Sequence, residues 1–188
     1  MSLLLQTIVD LDVFIMNLIV DLWMPAIIKT FAFVTFLGGW KIVCAFLIIT
    51  SAFFIFYKKQ NYIFPLLVGA GGTELTVYLA KIIFHRARPD VMLVLEDSFA
   101  FPSGHAAISV AFYGFIAFVL IKHSKRLWQK IVAASICLIL IVLIGFSRLY
   151  LGAHYFSDVV FGYFIGSLWL CIAIYVSFPK IFKRLQSC

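Results

Sequence analysis

The sequence has few charged residues and very few acidic ones. Only 12% of its 188 residues are charged, and eight are acidic against fifteen basic, whereas an average soluble domain carries about 25% charged residues. Hydrophobic residues make up 64% of the chain, and the mean hydropathy is +1.11. Such a chain cannot cover a water-soluble globule with polar side chains. We therefore predict a polytopic membrane protein whose length fits one compact domain.

Cysteine is also scarce, and its positions argue against two kinds of site. The four cysteines have no paired spacing, and three lie within apolar runs: Cys44, Cys137, Cys171 and Cys188. A disulfide framework or a zinc site is therefore not expected. The net charge of +7 would suggest a nucleic-acid partner in a soluble protein. Here most basic residues lie in short clusters between apolar segments, which is the pattern of membrane topology.

The apolar segments predict an all-α fold with two parts. In residues 1–22 the polar residues Gln6, Asp10, Asn17 and Asp21 fall on one helical stripe, which predicts an amphipathic helix lying at the membrane interface. Residues 23–188 are predicted to form a six-helix transmembrane domain, since a span needs about 20 residues. The predicted spans are 23–38, 41–57, 61–84, 105–121, 131–147 and 158–178.

The short loops predict an orientation. Six spans would place nine basic residues on one side, which the positive-inside rule makes cytoplasmic, together with both termini. These nine are Lys58, Lys59, Lys122, Lys125, Arg126, Lys130, Lys180, Lys183 and Arg184. The outer side would receive two loops, at about 85–104 and 148–157, and the cations Lys41, Arg86, Arg88 and Arg148. Ionisable residues that oppose the topological bias suggest a functional site.

Three motifs in these loops carry candidate chemistry. Lys81 and Arg88 are seven positions apart, so they can share a helix face, and Pro89 would end that helix. Taken alone, this pair could equally anchor lipid headgroups. The second motif, Pro102-Ser103-Gly104-His105, precedes an apolar segment, and a helix N-terminus there would bind an anion. Ser103 could simply cap that helix.

The third motif runs from Ser147 to Asp158. His154 and Asp158 are four positions apart, neighbours on a helix face. A carboxylate against one ring nitrogen fixes the tautomer and leaves the other nitrogen free, although a purely structural His–Asp pair would look the same. Arg148 adds a planar fork that suits phosphate oxygens.

Together the motifs place Lys81, Arg88, Arg148, His105, His154 and Asp158 on one side of the membrane. The three cations suit a highly negative oxyanion. They would repel a divalent metal, for which a single carboxylate offers too few ligands. We therefore expect no metal and no cofactor.

The three motifs together resemble the type 2 phosphatidic acid phosphatase superfamily. Its pattern is Lys, six residues, Arg-Pro; then Pro-Ser-Gly-His; then Ser-Arg, five residues, His, three residues, Asp. All three parts occur here in order over residues 81–158. The resemblance implies that His154 attacks phosphorus, Asp158 orients it and His105 serves as acid and then base. It further implies that the phosphoryl oxygens are held by Lys81, Arg88, Arg148 and the backbone of Ser103 and Gly104.

The resemblance implies a membrane lipid phosphatase, with no nucleic-acid partner. Candidate substrates are undecaprenyl pyrophosphate, phosphatidylglycerophosphate and phosphatidic acid. An outward-facing site favours the polyprenyl carrier, which is recycled on the outer face for cell wall synthesis. The alternatives are a lipid phosphotransferase and a non-catalytic lipid or anion transporter. Among the other acids, Glu74 is expected either to pair internally with Lys81 or another cation, which is the favoured prediction, or to contact the substrate. Glu96 is expected to be an ordinary solvated loop charge.

Overall fold

A computed structural model describes residues 3–178, which fold into seven α-helices and a short 3-10 turn at Gln60–Tyr62. No strand occurs between residues 3 and 178, so the all-α prediction is confirmed there. The three cysteines in this range are free, and Cys188 lies outside it. The helices are α1 (Leu3–Val20), α2 (Pro25–Phe36), α3 (Trp40–Phe56), α4 (Ile63–Phe84), α5 (Gly104–His123), α6 (Leu127–Tyr150) and α7 (Phe156–Val176).

Four of these elements are long and apolar enough to cross a membrane: Gln60–Phe84, α5, α6 and α7. The helices α2 and α3 form a fifth only if they act as one broken span, bent by 47°. With 12 residues, α2 is about 18 Å long, too short for a hydrocarbon core of about 30 Å. The structure thus supports four spans, or five with the bent pair. The predicted separate span at 23–38, and with it the count of six, is not confirmed.

The helix α5 lies at the centre of the bundle and packs against α4, α6 and α7. Its contact with α7 is close, because a Cβ at Gly162 would lie 2.5 Å from the Ser103 carbonyl oxygen and one at Gly166 would lie 2.2 Å from the Ala107 carbonyl oxygen. Only glycine permits this approach. The contact sets the start of α5 directly beside the start of α7.

Two groups of charged residues lie at the two ends of the helix bundle. At one end, which we call the site end, α4 and α6 finish while α5 and α7 begin. The other end, which we call the basic end, carries the α3–α4 and α5–α6 connections with Lys58, Lys59, Lys122, Lys125, Arg126 and Lys130. Three further basic residues of the predicted set, Lys180, Lys183 and Arg184, lie outside the described residues.

The first helix, α1, lies across the site end. Its inner face buries Asp12, Met16 and Ile19 at helical spacing, and Ile19 packs with Leu149 and Tyr150 near the end of α6. The predicted polar stripe is exposed, namely Gln6, Asp10, Asn17 and Asp21. Because α7 ends at the basic end whereas α1 lies at the site end, the expectation that both termini share one side is not confirmed.

Candidate active site

The end of α4 differs from its predicted form. The helix stops at Phe84, and His85 ends it in the left-handed conformation with φ 46°. Arg88 therefore lies in the following loop, and the prediction that Lys81 and Arg88 share a helix face is wrong. The loop brings them together instead. Arg88 Nε donates to the Ser98 carbonyl at 2.7 Å, and Lys81 Nζ donates to the Phe99 carbonyl.

The start of α5 agrees with the predicted helix N-terminus. Gly104 is its first residue, and Ser103 occupies the N-cap position without making a side-chain capping bond. The Ser103 N–H donates to the Asp158 carbonyl at 3.0 Å, so this N–H is not free to bind an anion. The same hydrogen bond links the second motif to the third. The amides at the first positions of α5 have no partner within the helix. Gly104 and His105 line the cavity described below.

The third motif lies between α6 and α7. His154 precedes α7 by two residues, so the prediction that it lies on a helix face with Asp158 is wrong in detail. The spacing still brings them near each other, because His154 Nδ1 lies 3.6 Å from Asp158 Oδ2. That oxygen also accepts the Tyr155 N–H at 2.9 Å. Both His154 (2% exposed) and Asp158 (0%) are buried.

A cavity of about 190 Å³ unites the three motifs. Its walls include Lys81 and Arg88 from the first, Gly104 and His105 from the second, and His154 from the third. Within it, Arg88 Nη1 lies 3.2 Å from His154 Nε2 and donates to the Ala153 carbonyl at 2.6 Å. A group bound beside His154 Nε2 would therefore contact the Arg88 guanidinium.

Arg148 does not line the cavity itself but lies inside the bundle beside Glu96, which does. Its side chain is 1% exposed, Nη1 donates to Thr35 Oγ1 at 2.7 Å, and Nη2 donates to Glu96 Oε1. Among the described residues, three buried polar atoms have no hydrogen-bond partner, and all belong to predicted site residues: Ser103 Oγ, Arg148 Nε and His154 Nδ1.

The favoured predictions for the two acidic residues at the cavity are wrong, whereas the alternative for Glu74, a contact with the substrate, fits its position on the cavity wall. Glu96 is an ion-pair partner of Arg148, and its Oε2 lies 3.7 Å from Arg88 Nη2, so it is not an ordinary solvated charge. Within residues 3–178, Glu74 forms no ion pair within 4.0 Å, because the Lys81 ammonium turns to the Phe99 carbonyl. Glu74 instead lies on the cavity wall.

Two charged residues outside the predicted site set support the site: Arg86, predicted only as an outer-side cation, and Asp12, for which no role was predicted. Arg86 Nη1 donates to Asp158 Oδ1 at 2.6 Å, and Arg86 Nη2 donates to Asp12 Oδ2 at 2.6 Å. Asp12 on α1 is 1% exposed. One signal was present in the sequence, because Asp12 is the acidic residue of α1 that lies off the polar stripe.

The surroundings of His154 favour its neutral form. Burial lowers the pKa of His154 well below its ordinary value, and the cations Arg148, Arg88 and Lys81 lower it further. Burial also lowers the pKa of Arg88, whose guanidinium nevertheless stays charged. For Arg86, burial lowers the pKa, but Asp12 and Asp158 outweigh burial and raise it overall. The cavity thus presents an imidazole whose neutral form is favoured, among cationic side chains.

This donor set suits an anion better than a metal. Among residues 3–178, no group of three or more His, Cys, Asp or Glu side chains is arranged to hold a metal ion. Lysine and arginine are donors only, and their charges suit the oxygens of a phosphoryl group.

Comparison with known proteins identifies the family of this chain. The model of the PAP2 superfamily matches residues 62–182. The chain belongs to the PAP2 superfamily. It is 36% identical over 137 residues to phosphatidylglycerophosphatase B of Bacillus subtilis (strain 168), covering 72% of this chain and 68% of that protein. These matches confirm the family prediction and make the chain a membrane lipid phosphate hydrolase.

Two solved structures extend the likeness. The crystal structure of a transmembrane PAP2-type phosphatidylglycerolphosphate phosphatase from Bacillus subtilis superposes with a TM-score of 0.83 at 31% identity, covering 92% of this chain and 85% of that one. The crystal structure of Aquifex aeolicus LpxE gives a TM-score of 0.66 at 26% identity, covering 85% and 92%. The PAP2 match includes all predicted site residues, whereas Asp12 and Thr35 precede it.

Proposed function

We propose that this PAP2 protein hydrolyses its lipid phosphate through a phosphohistidine at His154. The Nε2 lone pair attacks phosphorus while the bond from phosphorus to the leaving oxygen breaks and His105 gives that oxygen a proton. His105 then takes a proton from water, whose oxygen attacks phosphorus, and the N–P bond breaks to release inorganic phosphate. The observation that carries this proposal is the cavity in which His154 Nε2 lies 3.2 Å from Arg88 Nη1 with His105 on the same wall.

The residues that line the cavity and those packed beside it would each take one of the roles that phosphoryl transfer requires. That reaction depends mostly on positioning and on stabilising charge at the phosphoryl oxygens. Lys81, Arg88 and Arg148 would supply the charge, and the first amides of α5 would add donors. Asp158 would hold the His154 tautomer and stabilise the cation formed on attack. The mechanism uses no metal.

We propose phosphatidylglycerophosphate as the substrate. The Bacillus subtilis relatives named for this activity support it. An apolar groove of about 440 Å³ adjoins the cavity, and Trp40 and Glu74 line both. Its walls include Val43, Leu47 and Ile108. A lipid could place its phosphate in the cavity and an acyl chain in the groove.

We also propose how the chain lies in the membrane. Residues 1–22 would form the interfacial helix and residues 23–188 the transmembrane domain. Support comes from the three faces of α1: Asp12 and Ile19 pack inward, the polar stripe is exposed, and Leu11, Phe14 and Leu18 form an exposed apolar face between them. The basic end would be cytoplasmic, and the site end would face outward.

The test is phosphate release by the purified protein in detergent. The panel contains phosphatidylglycerophosphate, phosphatidic acid and undecaprenyl pyrophosphate, each with the wild type and His154→Ala. We expect the fastest turnover on phosphatidylglycerophosphate, a loss of about 10³-fold or more in His154→Ala, inhibition by vanadate and no effect of EDTA. Activity retained by His154→Ala, or lost with EDTA and restored by magnesium, would contradict the mechanism.

The role of His105 has its own test. A lipid alcohol leaves as an alkoxide and needs a proton, whereas a pyrophosphate leaves as a phosphate monoester and needs less help. His105→Ala should therefore slow phosphatidic acid hydrolysis more than undecaprenyl pyrophosphate hydrolysis. Equal losses of kcat would argue against the acid role. Adding an acceptor alcohol and analysing labelled products in the same assay distinguishes hydrolysis from phosphotransfer.

A further inference from the structure

The helix α1 reaches the catalytic region through one buried carboxylate. Most side chains of α1 are at least partly exposed, but Asp12 is 1% exposed. Its Oδ1 accepts the Ser157 N–H at 2.8 Å, and its Oδ2 accepts the Ser157 hydroxyl and Arg86 Nη2, each at 2.6 Å. A buried charge is stable only when paired and hydrogen-bonded, and Asp12 meets that condition entirely through residues of other segments.

The bonds of Asp12 fix the first turn of α7. Ser157 is the second residue of α7, so its N–H is one of the amides that the helix itself leaves without a partner. Asp12 satisfies this amide from a different helix, while Asp158 satisfies that of Tyr155 at the N-cap. Two carboxylates therefore hold the turn that follows His154 directly.

Arg86 connects Asp12 to the carboxylate beside His154. It spans the two acids, with Nη2 on Asp12 and Nη1 on Asp158 Oδ1, each at 2.6 Å. Its guanidinium carbon lies 4.6 Å from the centre of the Tyr155 ring, which holds the fork in place. Asp158 is thus fixed by Arg86 on one oxygen and by the Tyr155 N–H on the other.

We propose that Asp12 and Arg86 are positioning residues for the reaction, which set the orientation of Asp158 toward His154 and make the docked α1 helix part of the catalytic machinery. This inference rests on the proposed role of His154 as nucleophile. Without Asp12, Arg86 would have one acidic partner and would draw Asp158 away from Nδ1. Within the described residues, Asp12 forms no hydrogen bond or ion pair with the proposed phosphate-binding cations Lys81, Arg88 or Arg148, so phosphate binding should survive its loss.

The experiment compares Asp12→Asn with Asp10→Asn in the purified protein. Asp10 lies on the same helix, is exposed, and bonds only to Gln6 at 3.1 Å among the described residues. We expect Asp12→Asn to lower kcat about tenfold, as loss of a hydrogen-bond partner behind a functional histidine does at metal sites. KM and the vanadate inhibition constant should stay within about twofold, because the phosphate contacts are unchanged. Asp10→Asn should match the wild type in every value.

Arg86→Gln provides the second arm. The amide oxygen that Asp12→Asn keeps can still accept the Ser157 N–H, so the contact that this variant loses is the charged one to Arg86. The double variant with Asp12→Asn should then be no slower than Arg86→Gln alone, a non-additivity that separate structural effects would not give. Equal kcat in Asp12→Asn and Asp10→Asn would overturn the proposal. Parallel losses in kcat and vanadate binding, or multiplicative losses in the double variant, would also overturn it. Activity in His154→Ala is a separate outcome, which would refute the phosphohistidine proposal instead.

Discussion

The two ends of the bundle carry the same kinds of cation in opposite surroundings. At the site end, Arg148 is 1% exposed and bonded to Thr35 and Glu96, which come from distant parts of the chain. At the basic end, Lys58, Lys59 and Lys125 are exposed, and Lys122 lies over the rings of Tyr62, Phe118 and Phe178. Charge count alone therefore does not identify a site; burial and partners from several segments do.

Loss of a site-end cation should have the largest effect and should separate the two ends most clearly. Arg148→Met should lower kcat/KM about 10² to 10³-fold, the range found when one donor to a reacting oxyanion is removed. Lys125→Met at the basic end should change it less than about twofold, since that charge is exposed. Phosphate release from the lipid substrate measures both, and similar losses would remove the distinction between the ends.

Two apolar grooves, one adjoining the cavity and one near the basic end, allow a matched comparison. A Cβ at Gly71 would have no neighbour within 4 Å, and Gly71 lines the groove beside the cavity. Gly71→Trp should fill that groove and lower kcat/KM for the lipid about tenfold or more, while p-nitrophenyl phosphate, which has no acyl chain, should lose much less. The second groove lies near the basic end and is lined by Val132, Ala133 and Ile136 among others. Ala133→Trp places the same side chain there. We expect it to leave both rates unchanged, and a loss as large as that of Gly71→Trp would refute a tail-binding role.

Removing the charge of Glu96 should have a smaller effect, and it should strengthen the binding of an oxyanion rather than weaken it. Its carboxylate pairs with Arg148 and lies near Arg88, so a bound phosphoryl group must compete with it for these cations. Glu96→Gln should tighten vanadate inhibition about three- to tenfold, an energy in the range expected for a partly exposed ion pair. Asp10→Asn is the control. Weaker inhibition in Glu96→Gln would show that Glu96 supports the bound oxyanion rather than competing with it.

The last prediction concerns the free energy of unfolding and its dependence on pH, rather than activity. The pKa of His154 is lowered well below 6.5 in the folded chain. Below pH 6.5 the unfolded chain therefore binds a proton that the folded chain does not, and the free energy of unfolding falls as the pH is lowered. One such group changes it by up to about 1.4 kcal/mol per pH unit. Thermal unfolding in detergent at pH 7.5 and 5.0 should show a smaller decrease in His154→Asn than in the wild type, and identical decreases would contradict the assignment.

How much of the fold and the site could be predicted from the sequence depends on how far apart along the chain the contacting residues lie. The motif positions, the start of α5 at Gly104 and the all-α class depend on local patterns and were predictable. The partners Thr35, Glu96 and Asp12 were not, because they lie 113, 52 and 74 positions from the arginines they bind. Neither helical periodicity nor motif spacing encodes such separations. These tertiary contacts could therefore be identified only from the structure.

The central claim, a phosphoryl group carried by His154, can be tested by trapping the intermediate. Wild-type protein is mixed with substrate labelled in its terminal phosphate, quenched within milliseconds in alkali, and analysed for protein-bound label. We predict a label that is stable in alkali, is lost in acid as a phosphoramidate should be, maps to His154, and is absent from His154→Ala. Rapid turnover with no protein-bound label at any quench time, or a label on a different residue, would contradict the account.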